Sequence, residues 1–217
     1  RCMSDDRDIT KLYSHNADVD RINTDRLRML LAKEKTYTMT TAGNPKLVEQ
    51  MKRGCLSPEK LALKIGARVM FTRNNPAEGY VNGSIADVVD FDRESSYPVV
   101  QMKSGRTICV EPGMWSVDGD GGAPLATLRQ LPLRLAWAMT VHKSQGMSLD
   151  GAFIDLGTAF AYGQGYVALS RVRSLAGLFL GGLNARSLEV DPVVLERDEE
   201  FRAQSLAAES AISDRSE

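Results

Sequence analysis

Two polar segments separated by an apolar one mark the second half of the chain. Thr140–Gly146 reads Thr-Val-His-Lys-Ser-Gln-Gly, Gly151–Gly157 is mostly apolar, and Gly163–Arg171 ends in an arginine. An apolar run of this length predicts a buried strand. Polar groups beside buried strands gather at one edge of an α/β sheet, where they are well placed to meet anions such as phosphates. The three segments therefore predict an α/β fold with a polar edge.

A different pattern occupies the middle of the chain. From residue 61, short segments rich in β-forming residues alternate with turn signals such as Asn82-Gly83, a pair that supplies the positive φ of tight hairpins. The predicted strands are Arg68–Thr72, Ser84–Phe91, Tyr97–Met102 and Thr107–Val110. The glycine- and aspartate-rich segment Gly113–Pro124 is predicted to be a loop. Several short strands with close turns indicate a small β-barrel.

The first residues fit the α/β part. Ile9–Tyr13 alternates apolar and polar residues as strands do, and a helix is predicted to follow with Ser14 or Asn16 as its cap. The simplest architecture is a barrel inserted into an α/β domain. We predict that 1–60 and 125–195 form the α/β part, 61–124 the insertion, and 196–217 a charged C-terminal tail.

Composition excludes several classes of protein. Hydrophobic residues make up 43% and charged residues 25% of the 217 positions, as in ordinary globular proteins. The formal net charge of −1 provides no global basic field for nucleic acid, although a local basic groove is compatible with it. Cys2, Cys55 and Cys109 are far apart, and His15 and His142 are the only histidines, so neither a disulfide framework nor a metal site is expected.

The sequence also predicts a location. Its apolar stretches are too short and too interrupted to cross a bilayer, and residues 1–8 form no apolar signal region. The widely spaced cysteines fit a reducing compartment, so we expect an intracellular protein, cytoplasmic if it is bacterial. The chain does not begin with methionine, as expected of a piece of a longer protein.

Four segments of the chain resemble parts of a known family, three of them its motifs. Leu131–Gly146 resembles, over sixteen consecutive positions, the fifth motif of superfamily-1B DNA helicases of the PIF-type and RecD-like family. Gly163–Arg171 resembles the sixth motif, Leu12–Asn23 is similar to the fourth, and Leu63–Asn75 to the start of the family's barrel. The resemblance covers most of residues 9–190. It implies the second RecA-like helicase domain, of the P-loop-NTPase type, with an inserted small Src-homology-like β-barrel.

The resemblance also implies the site residues. In the family, the fourth and fifth motifs touch single-stranded DNA, while the fifth and sixth face ATP. The DNA-binding residues implied are Ser14, His15, Asn16, Thr140, His142, Lys143 and Ser144. The residues implied for the second half of an ATP site are Gln145, Gly146, Gln164 and Arg171. Arg171 matches the catalytic arginine finger, and no metal ligand is implied.

The residue types suit these roles. Hydroxyl and imidazole groups donate hydrogen bonds to phosphate oxygens, and the Lys143 ammonium adds a point charge. The guanidinium of Arg171 meets phosphate oxygens with a planar fork of donors and stays charged at working pH. Ser14 and Asn16 suit helix caps equally well, and Lys143 suits a solvated helix end. Tyr166 is predicted to be a core residue.

The chain has the character of half a motor. The sequence contains no Gly-x-x-x-x-Gly-Lys-Ser/Thr phosphate loop, and Asp155 has no acidic residue beside it for magnesium. The resemblance implies that ATP and Mg²⁺ bind in the intact parent, together with a missing N-terminal RecA-like domain, and that neither is bound by this fragment alone. The parent is expected to be an ATP-dependent DNA helicase that moves 5′ to 3′ on single-stranded DNA.

Two alternatives remain open. The first is a non-catalytic nucleic-acid-binding module derived from a helicase. The second is an unrelated α/β enzyme, against which the lack of a cluster of acid, base and nucleophile counts. The sequence that precedes Arg1 in the parent would separate the first alternative from the motor, because only the motor requires a phosphate loop there.

Overall fold

Strands outnumber helices in the part of the chain that the structure describes. A computed structural model describes residues 9–119, 123–149 and 151–213, so Cys2 and the last four residues of the predicted tail lie outside the described residues. The strands are β1 (Thr10–Tyr13), β2 (Lys35–Thr38), β3 (Thr40–Gly43), β4 (Lys60–Leu63), β5 (Arg68–Phe71), β6 (Ile85–Phe91), β7 (Pro98–Met102), β8 (Thr107–Cys109), β9 (Gly113–Asp118), β10 (Pro124–Gln130), β11 (Leu133–Leu135), β12 (Ala138–Thr140), β13 (Ala152–Leu156) and β14 (Leu178–Leu183). The helices are α1 (Asn16–Met29), α2 (Pro45–Gly54), α3 (Gln164–Leu169) and α4 (Pro192–Ser213), with short 3₁₀ turns at His142–Ser144, Leu175–Gly177 and Ala185–Leu188.

A four-stranded parallel sheet combines β1, near the start of the chain, with three strands from its second half. Its order is β12-β1-β13-β14, and Leu12, Ile154 and Leu156 of its two inner strands are fully buried. Asn23 fixes α1 to the edge strand, since its side-chain amide exchanges two hydrogen bonds of 2.9 and 3.0 Å with the main chain of Ala138. The Thr10 hydroxyl donates to Ala136 O at 3.4 Å. The α/β class predicted from the sequence is confirmed.

Antiparallel strands form the middle of the molecule. A five-stranded sheet has the order β11-β5-β6-β7-β8, with every neighbouring pair antiparallel. Leu63, Phe71 and Leu133 are fully excluded from solvent in its core, and each such side chain stabilises the fold by roughly 1.5–3 kcal/mol. The predicted turn at Asn82-Gly83 is confirmed, because Gly83 has a φ of 92°. The four strands predicted between 68 and 110 are confirmed as β5 to β8.

Two smaller antiparallel sheets accompany this core. They have the orders β3-β10-β9 and β2-β4. The segment Gly113–Pro124 was predicted to be a loop, and this is wrong for Gly113–Asp118, which pairs with β10 as β9. Trp115 lies opposite Leu128 and packs on the small apolar cluster beneath β10, which outweighs the weak strand preference of the glycine and aspartates. Residues 120–122 lie outside the described residues.

Some local predictions at the helices are also wrong. The cap of α1 is His15, and no side chain accepts a hydrogen bond there, so neither Ser14 nor Asn16 caps the helix. Ser14 is buried at the end of β1, with its hydroxyl turned inward. Tyr166 is 77% exposed rather than core, because the short α3 buries Gly165 and Ala168 on its inner face instead.

The C-terminal helix α4 extends into the segment predicted as a charged tail. It begins at Pro192 and is exposed along its described side chains. In the described part of the chain, no helix combines the length and the apolar composition that crossing a membrane requires.

Candidate functional site

The loops that follow three parallel strands meet at one edge of the sheet. β12 ends at Thr140, β1 ends just before Ser14, and β13 ends before the loop 157–163. Because β12, β1 and β13 are parallel neighbours, their carboxyl ends lie side by side. From β1 the chain continues to β12 on one side of it, and from β12 it crosses to β13 on the other side and then to β14. The direction of the connections therefore reverses between β1 and β13. Crevices at such reversals are where open α/β sheets bind ligands.

Three aromatic rings lie together at this edge of the sheet. The Phe160 ring stacks on His15 with a centroid distance of 5.0 Å and an interplanar angle of 24°. It also contacts His142 at 6.1 Å in a tilted arrangement. Phe160 is 57% exposed, and His15 Nε2 lies 3.2 Å from Thr158 O. The structure thus brings His15 and His142, which are 127 positions apart in the numbering of the chain, to a shared contact.

Sequence reasoning missed Phe160. The only signal for it was its place directly after an apolar strand and before the second polar segment. An isolated phenylalanine in such a loop is indistinguishable from a core residue until the neighbouring strands are placed.

Gln164 holds the loop that carries Phe160. It is 3% exposed, and its Oε1 accepts hydrogen bonds from Phe160 N at 3.1 Å and Ala161 N at 3.5 Å. Its Nε2 is buried and has no hydrogen-bond partner among the described residues. From the other side, Asn184 Nδ2 donates to the carbonyls of Gly157 and Ala159 at 3.3 and 2.8 Å. The loop is therefore fixed by two side-chain amides.

The turn after β12 presents some of its predicted residues and buries others. His142 is exposed and Lys143 half-buried, while Thr140 is 4% exposed. Ser144 is completely buried, and its hydroxyl donates to Val141 O at 2.7 Å, so in this conformation it braces the turn. Of these predicted residues, His142 and Lys143 are thus the ones whose side chains reach the solvent and are accessible to a ligand.

The end of the same turn is open. Gln145 and Gly146 are exposed, and Gly146 has a φ of 79° that favours glycine. No heavy atom lies within 4 Å of the position that a Cβ of Gly146 would occupy. The main chain at this point is therefore accessible to a ligand.

Positive charge beneath the turn is only partly compensated. Burial lowers the pKa of Lys143, and the nearby charge of Arg134 lowers it further, while Asp20 acts in the opposite direction. Arg134 is 9% exposed, and its Nε and Nη1 are buried without hydrogen-bond partners in the described ranges. Burial also lowers the pKa of the Arg134 guanidinium. Two cations that repel each other in a partly dry environment favour the approach of an anion.

Arg171 connects the two polar segments. Its Nε donates to Val167 O at 2.9 Å and its Nη2 to Ser170 Oγ at 2.8 Å, so the guanidinium is folded back against the C-terminal end of α3, which precedes it. Its Nη1 donates to Met147 O at 3.4 Å, beside the open end of the turn. The side chain is half-exposed, and its neighbour Arg173 is exposed.

The remaining predicted residues show no ligand-like cluster. Asn16 is exposed at the first position of α1, and Ser14 contributes a buried hydroxyl without a partner in the described structure. In the described ranges, no group of three or more His, Cys, Asp and Glu side chains is arranged to hold a metal ion.

Comparisons with known proteins agree on one family. A family model described as "DNA helicase Pif1, 2B domain" matches residues 46–91. The ATP-dependent DNA helicase Pif1 of Psychrobacter sp. (strain PRwf-1) is 37% identical over 254 aligned positions, which cover 94% of this chain and 38% of that protein. The ATP-dependent DNA helicase PIF1 of Homo sapiens is 40% identical over 208 positions, covering 94% of this chain and 32% of that protein.

Solved structures give the same result. Unliganded Pif1 from Bacteroides sp. is 29% identical, with a TM-score of 0.78, and the match covers 92% of this chain and 47% of that one. Pif1 helicase from Bacteroides in complex with ADP-AlF3 and ssDNA is 30% identical, with a TM-score of 0.68, and the match covers 94% and 47%. The chain thus spans about a third of the length of the curated relatives and about half of the solved chains.

Proposed function

The chain is related to the PIF-type DNA helicases over nearly its whole length, and from this premise we propose that it is the part of an ATP-dependent DNA helicase that completes the ATP site and forms one wall of the DNA groove. In the intact parent, ATP with Mg²⁺ binds between this part and an N-terminal RecA-like domain, and its hydrolysis moves the protein 5′ to 3′ along single-stranded DNA.

One observation carries the proposal. The polar segments that resemble the helicase motifs converge at the carboxyl edge of a single parallel sheet, beside two cations, Lys143 and Arg134, whose pKa values burial lowers. A site of this charge suits phosphate groups, which both ATP and DNA provide. The net charge of the chain is −1 and does not attract phosphate groups, so the attraction comes from the local charges of Lys143 and Arg134.

The nucleotide half-site comprises Gln145, Gly146, Gln164 and Arg171. Gly146 offers an open main chain, and Gln164 holds a buried amide donor without a partner in the described structure. Arg171 stabilises charge that develops on the transferred phosphoryl group, for which its planar fork of donors is suited. To reach that group it leaves Met147 O and the main chain of α3.

The DNA wall divides its residues by exposure. His15, Asn16, His142 and Lys143 contact the strand directly, since their side chains reach the surface. The buried hydroxyl residues of the implied set shape the main chain beneath them, and these are Ser14, Thr140 and Ser144.

We divide the chain into two units that differ from the sequence-based boundaries. The strands β2 and β3 and the helix α2 lie before residue 61, but they pair or pack with β4 and β10. We therefore assign the RecA-like unit to α1 with the parallel sheet and α3, and the inserted unit to residues 35–135. The intracellular location expected from the sequence, cytoplasmic if the parent is bacterial, is kept as part of this proposal.

Single-strand binding by the chain tests the DNA wall. We expect replacement of both His142 and Lys143 by alanine to weaken binding of an oligothymidylate and to reduce the dependence of log K on log salt by about one for each lost phosphate contact. Fluorescence anisotropy over a series of salt concentrations measures both quantities. Lys60→Ala, which removes an exposed charge in the inserted unit, is the matched control and should change neither.

An unchanged affinity and salt slope in the double variant would exclude these residues from the groove. We also expect the chain alone to hydrolyse no ATP, because it supplies half of the site. Magnesium-dependent turnover by the pure chain would contradict the proposal, whereas a parent without a phosphate loop would favour a non-catalytic nucleic-acid-binding module.

A further inference from the structure

The rings of His15, His142 and Phe160 are called the ring cluster below. The function proposed above gives a role to the two histidines but none to Phe160. From their arrangement we propose that a nucleobase of the bound single strand stacks on the exposed Phe160 ring. The inference rests on the proposed function, since it specifies what part of the DNA lies at this point of the groove.

The position of the ring cluster points to a ligand. His15 follows β1 and Phe160 follows β13, so their stacked rings straddle the place where the connections of the sheet reverse. Phe160 is 57% exposed there, whereas the preceding residue, Ala159, is 6% exposed. An exposed ring at a binding crevice provides the flat apolar surface that a base requires.

The loop is built to hold this ring in place. The main-chain N–H of Phe160 itself donates to Gln164 Oε1, and Asn184 fixes the two carbonyls that precede it. His15 lies 3.2 Å from Thr158 O and supports the ring from the β1 side. A ring fixed before binding loses little conformational entropy when a base stacks on it.

The composition of the ring cluster favours a base of the strand over the adenine of ATP. Two of its three rings belong to His15 and His142, both assigned to the DNA wall. None belongs to the nucleotide half-site, whose Gln164 side chain contacts the main-chain N–H groups of the loop and whose Arg171 contacts Met147 O. Lys143 follows His142 directly in the chain. A phosphate of the strand could therefore pair with the Lys143 ammonium while the base of the same nucleotide stacks on the ring cluster.

The test compares a strand that has bases with one that has none. The probes are an oligothymidylate and an abasic deoxyribose-phosphate strand of the same length, each labelled for fluorescence anisotropy. Wild type should bind the thymidine strand more tightly. Phe160→Leu keeps apolar volume but removes the ring, so it should weaken thymidine-strand binding by at least about fivefold, the lower end for one stacked base. It should leave abasic-strand binding unchanged.

Tyr162→Leu is the matched control. Tyr162 is an exposed aromatic of the same loop whose ring is covered by the Arg186 guanidinium at 4.2 Å, so its loss should alter neither affinity. A second measurement needs no variant: a strand with a central 2-aminopurine should lose fluorescence on binding wild type, because stacking quenches that base.

The outcomes separate the two proposals. If wild type binds both strands but Phe160→Leu discriminates between them as wild type does, or 2-aminopurine is not quenched, the stacking inference is overturned and the DNA wall stands. If Phe160→Leu weakens only the binding of a fluorescent ATP analogue, the ring serves the nucleotide and the inference is again wrong. If wild type binds neither strand, the DNA wall itself fails, and the ring cluster with it.

Discussion

Two equally buried glutamines, Gln130 and Gln164, show that two regions of the molecule satisfy their buried hydrogen-bonding groups to different extents. Each is 3% exposed. Gln130 Nε2 donates to three main-chain carbonyls, and its Oε1 accepts from Leu131 N at 2.8 Å. Those carbonyls belong to Tyr37, Pro58 and Glu59. Gln164 accepts from Phe160 N through Oε1, while its Nε2 has no partner among the described residues.

The difference extends to the surroundings of the two glutamines. Gln130 ties β10 to β2 and to the segment that precedes β4, in the antiparallel region, where the core is apolar and both ends of the side-chain amide have partners. Gln164 lies at the edge of the parallel sheet, where the buried hydroxyl of Ser14 also lacks a partner in the described structure. Arg134 of β11, whose charge acts on Lys143 of this edge, likewise has two buried nitrogens without partners there. Buried polar groups without partners cost free energy, so an edge that retains several of them is arranged for a ligand rather than for stability.

The largest expected effect is on catalysis at the sheet edge. In the intact parent, Arg171→Ala should lower kcat for ATP hydrolysis by about 10³- to 10⁵-fold, because an arginine finger acts on the transition state. Arg171→Lys should recover little, since an ammonium has no planar fork. Steady-state ATPase assays with single-stranded DNA measure this, and Arg173→Ala is the milder control. Equal losses at both positions, or a collapse of Tm in Arg171→Ala, would make Arg171 a structural residue.

In the antiparallel region the same kind of truncation should affect stability alone. Phe71 is fully buried and stacks on Tyr80 at 3.8 Å. We expect Phe71→Ala to lower the free energy of unfolding by roughly 3–5 kcal/mol in urea titrations, while Val89→Ala, at a 38% exposed position, stays within about 0.5 kcal/mol. The single-strand affinity of the fraction that remains folded should not change. If it changes, the two regions are not separable.

The two glutamines allow a direct comparison with one substitution. Gln130→Met leaves three carbonyls and one N–H to find other partners, so the free energy of unfolding should fall by roughly 2–3 kcal/mol. Gln164→Met loses two accepted hydrogen bonds but removes an amide donor that has no partner, so the loss should be about 1 kcal/mol or less. Urea unfolding of both variants at one pH decides the order. A greater loss of free energy of unfolding at Gln164 would contradict the view that buried polar groups at the sheet edge lack partners.

The smallest effect is expected at Arg134. Arg134→Met removes a buried cation whose Nε and Nη1 lack partners in the described ranges, and we expect the free energy of unfolding to rise by up to about 1 kcal/mol. The pKa of Lys143 should rise, because the charge of Arg134 lowers it. Lys143 would then keep its proton to higher pH, so the decline of single-strand binding at alkaline pH should shift upward. An unshifted decline, or a large loss of stability, would show that Arg134 has partners that the edge supplies.

The sequence was sufficient where a signal is local. Alternation and turn residues predicted β1, the strands β5 to β8 and the glycine turn at residue 83, and the polar segments predicted the α/β edge. The helix cap and β9 were predicted wrongly, because burial of Ser14 and the packing of Trp115 opposite Leu128 depend on residues distant in sequence. Phe160 was missed for the same reason. The roles of the other site residues stay predictions, since exposure and hydrogen bonds describe what a residue can reach and not what it binds.

The hydrogen bond between Thr10 and Ala136 O spans 126 residues, and this separation bears on the order of folding. The parallel sheet cannot form until the chain closes a loop of that length, which is entropically costly, whereas most antiparallel pairs join near neighbours. We therefore expect the antiparallel region to fold first and to bring the two halves of the parallel sheet within reach. Substitutions in its core should slow the appearance of the binding edge, even where they contact no residue of it.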